Sequence, residues 1–218
     1  MKWLTFLIGL GMTAVSLAYG LYMQPQLPKK MPVHWNAVGE VDRYGSQAEA
    51  LYLIPAICVV LLVLLWAIPK LSPKGKGIEA FQAQYDLTVL AIMAFMSILQ
   101  IGMILSSIRS FDMMKLVMGG MCLLFMVIGN LMGKITRNYW MGIRTPWTLE
   151  SDVVWEKTHR LAARVMVATS AVGLLISLFT PWPFASIVLI LGGTLYPVFY
   201  SYFVYREVTP GGGKPASS

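Results

Sequence analysis

The chain has 218 residues, of which 57% are hydrophobic and only 12% are charged, with a formal net charge of +7 at pH 7. Because soluble domains carry about a quarter charged residues, this composition excludes an ordinary water-soluble domain and indicates an integral membrane protein. The basic residues flank apolar runs instead of forming one patch, which argues against direct nucleic-acid binding. Cys58 and Cys122 lie inside apolar runs, where they form neither a disulfide framework nor a CxxC metal motif.

Six mostly apolar stretches are long enough to cross a bilayer, since a membrane-spanning helix needs about 20 residues. Inside the hydrocarbon the backbone must satisfy its own hydrogen bonds, which favours helices. The predicted fold class is therefore all-α, a polytopic membrane helix bundle. The six predicted spans are residues 3–23, 50–69, 86–108, 113–132, 161–180 and 184–205.

The spans divide the chain into two halves and a tail. The N-terminal half, residues 1–110, has three spans and a long loop at 24–49. The second half, residues 111–206, has three spans and a long loop at 133–160. Residues 207–218 are rich in Gly, Pro and Ser, and this composition predicts a disordered tail.

The Lys and Arg residues predict the orientation, because cytoplasmic loops carry the excess of positive charge. With both termini in the cytoplasm of a plasma-membrane protein, loop 133–160 is cytoplasmic and loop 24–49 is external. The twelve cytoplasmic residues are then Lys2, Lys70, Lys74, Lys76, Lys134, Arg137, Arg144, Lys157, Arg160, Arg164, Arg206 and Lys214. The five external residues are Lys29, Lys30, Arg43, Arg109 and Lys115. A cleavable signal peptide in place of the first span is the alternative, and it leaves the other loops on the same sides.

The external loop begins with three prolines, Pro25, Pro28 and Pro32, which fix φ and predict a stiff, extended segment. Gly39 and Gly45 allow turns on either side of the sequence "EVDRY". We therefore expect an ordered external loop.

Two interpretations of the external loop remain open. In one it is an interfacial cap, with Trp35 and Tyr44 at the level of the lipid headgroups. In the other it contacts a ligand. His34, Glu40 and Asp42 offer nitrogen and oxygen groups close in sequence, but their spacing matches no standard metal-ligand pattern. We predict neither a metal nor another cofactor.

The cytoplasmic loop contains the sequence "MGIRTPWTLESDVVWEKTHRLA" at residues 141–162. Thr145 before Pro146 indicates the start of a helix, because proline suits the first helical position. Thr148 or Ser151 is placed to cap the residues that follow. From residue 152 onward the pattern predicts a short amphipathic helix along the membrane surface.

Side chains four residues apart on that helix share a face. This spacing puts Trp155 beside His159, and Glu156 within reach of Arg160 for an exposed ion pair. An interfacial anchor explains the residue types of the loop, whereas Arg144 with flanking aromatics is also typical of protein interfaces. Both roles stay open. The interfacial tryptophans would be Trp140, Trp147 and Trp155.

Polar groups within the predicted spans are few, and Gln100 and Asn130 stand out. Hydrogen bonding between helices explains both of them. The GxxxG spacing of Gly129 and Gly133 predicts close helix packing. A polar cavity lined by Gln100, Asn130 and Asp86 would instead indicate a small membrane transporter or a membrane enzyme.

Two stretches together resemble a known family. The sequence "GIRTPWTLESDVVWEKTHRLA" resembles the signature of the SdpI family of bacterial membrane proteins, and "MPVHWNAVGEVDRYGS" is similar to the domain often found ahead of it. The residues that match the first, inner motif are Gly142, Arg144, Thr145, Pro146, Trp147, Thr148, Trp155, His159 and Arg160. Those that match the second, outer motif are His34, Trp35, Gly39, Asp42 and Gly45.

The sequence contains no P-loop, GxSxG or HExxH motif, so we predict no enzymatic activity. The resemblance implies a multipass membrane protein that gives immunity to a secreted antimicrobial peptide toxin. It further implies a signalling role in which the protein holds a cytoplasmic winged-helix repressor at the membrane. The expected partners are thus membrane lipid, a peptide toxin outside and a repressor inside, with the two motifs as binding sites. The rival hypotheses are a transporter or membrane enzyme acting on a lipid or envelope precursor, and a purely structural subunit.

Overall fold

The computed structural model describes residues 1–71 and 77–209. Within these residues six helices are long and apolar enough to cross a membrane, which confirms the predicted all-α polytopic bundle. The helices are α1 (Trp3–Met23), α2 (Gln47–Ala67), α3 (Gln82–Ser106), α4 (Met113–Met132), α5 (Pro146–Glu150), α6 (Asp152–Phe179) and α7 (Ser186–Val208), of which the short α5 is not a span.

The loop at residues 133–160 does contain a short helix, as predicted, but that helix is α5. Residues from 152 onward, which the sequence analysis assigned to it, form the first turns of α6 instead. Ser151 caps α6 by accepting a hydrogen bond from the amide of Val154. Trp155 and His159 are only 3% and 1% exposed, so burial in the bundle continues the helix where the sequence predicted a surface segment.

The first two residues of the predicted tail, 207 and 208, are helical, because α7 continues to Val208. Residues 210–218 of that tail lie outside the described residues, as do Lys74, Lys76 and Lys214 of the charges predicted to be cytoplasmic.

The six long helices pack in two groups: α1 with α2 and α3, and α6 with α4 and α7, while α3 also contacts α4. Helices α4 and α6 approach closely at Gly129, where a Cβ atom would lie 2.8 Å from Met166 Cβ and 3.2 Å from the amide nitrogen of Val167. One turn later Gly133 faces Ala163. The GxxxG pair therefore packs helices closely, as its spacing predicts.

A β-hairpin between α1 and α2 was not predicted. Its antiparallel strands are β1 (Lys30–Trp35) and β2 (Val41–Ser46). Gly39 occupies the turn at φ +88°, as expected. The turn predicted at Gly45 is wrong, because this residue lies within β2. A Cβ atom there would overlap the carboxylate of Glu49, so the glycine provides clearance.

The hairpin and the α4–α6 connection lie at opposite ends of the bundle, because α2, α3 and α4 separate them as three successive spans. We call these ends the hairpin face and the elbow face, after the elbow formed by residues 138–151.

The polar residues of the spans have different environments. Gln100 is fully buried, and its amide donates to the carbonyl oxygens of Ala50 at 3.0 Å and Leu51 at 3.3 Å, as the interhelical interpretation predicts. Asn130 is exposed on α4, and the same interpretation is wrong for it. Because the neighbouring Gly129 packs on α6 and successive helix residues point about 100° apart, Asn130 faces away from that interface.

Candidate functional site

The hairpin is held by polar contacts on its exposed side. The imidazole Nδ1 of His34 lies 2.6 Å from the Asp42 carboxylate, with both side chains well exposed. The Asn36 side chain accepts hydrogen bonds from the amides of Val38 and Glu40, which closes the turn around Gly39. The outer motif therefore fixes the shape of the hairpin.

The other side of the hairpin is seated on the bundle. Met31 is fully buried against an apolar cluster that includes Leu51 and Ile104, and Trp35 packs on the edge of the same cluster. The side chain of Gln47, in the first turn of α2, donates to the carbonyl of Leu27 at 2.7 Å. These contacts set the position of the hairpin over the helix ends.

A cavity of about 320 Å³ lies between the hairpin and the helix ends. His34, Trp35 and Asn36 contribute its polar rim, and its walls include Met113 and Met118 of α4. Such a volume is at the lower end of the range of ligand sites, and its lining is mostly apolar. Methionine walls adapt to ligands of varied shape. The cavity is therefore suited to a large apolar group that carries one or two polar atoms.

The elbow is built around His159. Its Nε2 accepts a hydrogen bond from the amide of Ile143 at 2.9 Å, so the neutral ring carries its proton on Nδ1, which donates to the carbonyl of Trp155 at 2.8 Å. Gly142 reaches this position with φ +111°, and a Cβ atom on it would overlap the imidazole. His159 thus ties the turn at Gly142 to α6.

Trp155 supports His159 from one helical turn earlier. The two rings stack with centroids 4.0 Å apart, as the predicted spacing requires. The indole Nε1 of Trp155 donates to the carbonyl of Ile135 at 2.7 Å. This pair therefore fastens the start of α6 to the segment that follows α4.

Trp147 joins the elbow to the last helix. Thr145 and Thr148 form a capping box that starts α5, with Pro146 in its first turn. The indole Nε1 of Trp147 then donates to the Ser201 hydroxyl of α7 at 2.5 Å. Tyr202 packs edge-on against the same indole ring. The inner motif thus contacts α7 as well as α6.

Two residues that hold the elbow, Arg137 and Asn138, were not predicted from the sequence. Arg137 donates to the carbonyls of Leu149 and Glu150, both at 2.8 Å, and pairs with Asp152 at 2.8 Å. Asn138 is buried, and its side chain bonds the backbone of residues 136, 140 and 141. The preference of Asn for turns could have indicated the role of Asn138. The contact of Arg137 with Leu149 could not have been predicted, because the two residues are far apart in sequence.

Three residues of the inner motif have exposed side chains. Arg144 donates to the carbonyl of Tyr139, Pro146 lies on the surface, and Arg160 pairs with Glu156 at 2.5 Å as its spacing predicts. The other six residues make the hydrogen bonds and close contacts described above. The inner motif is thus a folded unit with a small basic rim.

The remaining predicted sites do not come together. His34 and His159 lie at opposite faces of the bundle, and among residues 1–71 and 77–209 no group of three or more His, Cys, Asp or Glu side chains is placed to hold a metal ion. Asp86 accepts hydrogen bonds from the Lys2 amide and the Gln82 side chain. Since Gln100 is enclosed and Asn130 is exposed, these three polar groups line no common cavity.

Comparison with known proteins identifies two regions of the chain. Residues 134–201 match the SdpI/YfhL protein family, and residues 11–59 match a domain of unknown function, DUF1648. The regions contain the inner motif and the outer motif respectively, which confirms the resemblance found in the sequence.

Two relatives extend this result. The immunity protein SdpI of Bacillus subtilis is 24% identical over 205 residues, which cover 93% of this chain and 96% of that protein. An uncharacterized protein of Archaeoglobus fulgidus is 37% identical over 83 residues, which cover 34% of this chain and 45% of that protein. No solved structure matches the chain.

Proposed function

This six-span membrane protein carries the SdpI/YfhL and DUF1648 family regions in series, and from that premise we propose that it gives its cell immunity to a secreted antimicrobial peptide. The observation that carries the proposal is the alignment with the Bacillus subtilis immunity protein along nearly the full length of both chains. Because that alignment covers 93% of this chain, it is not confined to either family region.

The peptide binds at the hairpin face, in the cavity of about 320 Å³ beneath β1. A peptide that attacks membranes must carry apolar side chains, and the cavity offers an apolar, methionine-containing wall to such a group. Trp35 and the rim residues His34 and Asn36 supply the polar contacts at its mouth. The contribution of Gly39, Gly45 and Asp42 is indirect: they fix the shape of the hairpin that borders the cavity.

The signal passes to the elbow face, where the exposed Arg144 and Arg160 form the rim that docks a winged-helix repressor. Both termini and the elbow are cytoplasmic in this scheme, in agreement with the twelve-to-five distribution of Lys and Arg residues. Coupling between the faces requires two states of the bundle to which the peptide binds unequally.

Immunity is tested by deleting the gene in the source organism and exposing the cells to conditioned medium from the parent strain. We expect the deletion strain to lose viability and the wild-type gene to restore it. Equal survival of the deletion and parent strains in that medium would refute the immunity function.

The roles of the hairpin face and the elbow face are distinguished by comparing variants at equal membrane abundance. Trp35→Ala removes the side chain at the cavity mouth and should abolish protection. Tyr44→Ala, an exposed position on the same hairpin that does not line the cavity, is the matched control and should protect. Arg144→Ala tests the elbow: loss of repressor co-purification with retained protection assigns this residue to signalling alone.

A further inference from the structure

A second and larger cavity, of about 670 Å³, opens on the lateral surface of the bundle between α3 and α4, and Leu174 and Leu178 of α6 complete its lining. We call it the lateral groove. Its lining is almost entirely apolar, and Ile98 and Leu123 on its sides are each about half exposed. Since these side chains point away from the helix bundle in a membrane protein, the groove faces the lipid.

Small residues create the groove. Ala91 and Ala94 line it on α3, and Gly119 and Gly120 line it on α4. The ring of Phe95 occupies the space that a side chain at Gly120 would take, since a Cβ atom there would lie 2.8 Å from the ring. The groove is therefore a consequence of the sequence at this helix contact.

The length of the groove matches one lipid leaflet. Along α4 it runs from Lys115 to Val127, a rise of about 18 Å. The hydrocarbon core of a bilayer is about 30 Å thick, so one leaflet accounts for about half of that. A transmembrane helix of a second protein would pack along the whole thickness of the bilayer, whereas an acyl chain needs a groove only as long as one leaflet is thick.

A pair of opposite charges stands at the end of the groove on the hairpin face. Lys115 Nζ lies 4.0 Å from the Asp112 carboxylate, and both side chains are substantially exposed. Asp112 also caps α4, because it accepts a hydrogen bond from the Lys115 amide at 3.0 Å. This pair presents one cation and one anion to a headgroup whose acyl chain lies in the groove.

We propose that the lateral groove is a binding site for phosphatidylethanolamine, independent of the immunity function. The phosphate pairs with Lys115, the ammonium group of the headgroup donates to Asp112, and one acyl chain lies along the groove beside Ala94 and the Phe95 ring. Phosphatidylcholine has no N–H group to donate to Asp112, and phosphatidylglycerol brings no cation to it. The site therefore selects among lipids with the same acyl chains.

Native mass spectrometry of the full-length detergent-purified protein tests this selection, with ethanolamine, choline and glycerol phospholipids of identical acyl chains added in equal amounts. We expect one preferentially retained phosphatidylethanolamine. Lys115→Gln should weaken its binding about fivefold, the effect typical of one basic residue at a lipid surface. Asp112→Asn keeps a helix-capping side chain and should remove the preference for ethanolamine over choline.

Filling the groove provides a second test. Ala94→Phe should abolish retention of the lipid, whereas Ala56→Phe, the same substitution at an exposed position of α2 outside the groove, should leave it unchanged. Equal retention of the three lipids by the wild type would overturn the proposal. The proposal would also be overturned if the wild-type protein were a dimer that the Ala94→Phe substitution dissociates, because the groove would then be a protein interface. If Ala94→Phe does not fold, the surface variants Lys115→Gln and Asp112→Asn still decide the question.

Discussion

The side chain of Gln100 supplies a hydrogen bond that Pro55 cannot make. Within α2 the carbonyl of Leu51 would normally accept from the amide of residue 55, and proline has no such amide. Gln100 of α3 donates to this carbonyl and to that of Ala50. A buried polar residue in one span thus satisfies backbone carbonyls of the preceding span.

This relationship predicts that the two positions are energetically coupled. Gln100→Leu should lower the free energy of unfolding by about 0.6 kcal/mol and at most about 1.7, the range for hydrogen bonds between membrane helices. In a Pro55→Ala background the cost should shrink, because the new amide at position 55 serves Leu51. Unfolding in detergent measures the double-mutant cycle, and an equal cost in both backgrounds contradicts the assignment.

Gly142→Ala should destabilise the elbow. The backbone at φ +111° disfavours any L side chain, and the added Cβ would overlap the His159 ring. We expect a loss on the order of 1 to 3 kcal/mol in thermal unfolding. Gly192→Ala is the control, because that helical glycine has nothing within 4 Å of its Cβ position; it should be neutral or slightly stabilising. Equal stability of the two variants would refute the role of Gly142.

Trp147→Phe should separate the hydrogen bond of this residue from its packing. Phenylalanine still packs against Tyr202 but has no donor for the Ser201 hydroxyl. In a cycle with Ser201→Ala we expect a coupling of about 0.5 to 1.5 kcal/mol in the free energy of unfolding. If the free-energy costs of the two single substitutions simply add in the double variant, the hydrogen bond between α5 and α7 does not stabilise the fold.

Arg137→Lys should loosen α5 without unfolding the spans. A lysine ammonium cannot reproduce the fork with which Arg137 donates to Leu149 and Glu150 and pairs with Asp152. Amide hydrogen exchange over residues 145–151 should accelerate about tenfold or more. Arg164→Lys, at an exposed residue of α6, serves as the matched control, and equal exchange in the two variants would exclude this role.

Much of the bundle could be predicted because length and apolar content dictate a span. All six spans were found this way, and the Thr145–Pro146 helix start and the Glu156–Arg160 pair followed from local spacing. The helix start and the ion pair depend only on residues within four positions of one another, which the sequence displays directly.

The parts that were missed depend on distant partners. The amide of Ile143 finds His159 only because Gly142 turns the chain, and no local pattern encodes that contact. The strands of the hairpin are only six residues long, and β1 contains Pro32, which weakens a strand pattern. The exposure of Asn130 was misjudged because composition does not reveal which face of α4 packs on α6.

The continuity of α6 has a mechanical consequence. Its 28 residues extend about 42 Å. The Trp155–His159 stack lies near its elbow-face end, and Gly173 packs on Ser186 in its hairpin-face half. The helix contains no proline at which it would bend. It therefore acts as a stiff lever: a pivot of about 5° about its midpoint swings each tip by about 2 Å, in opposite directions.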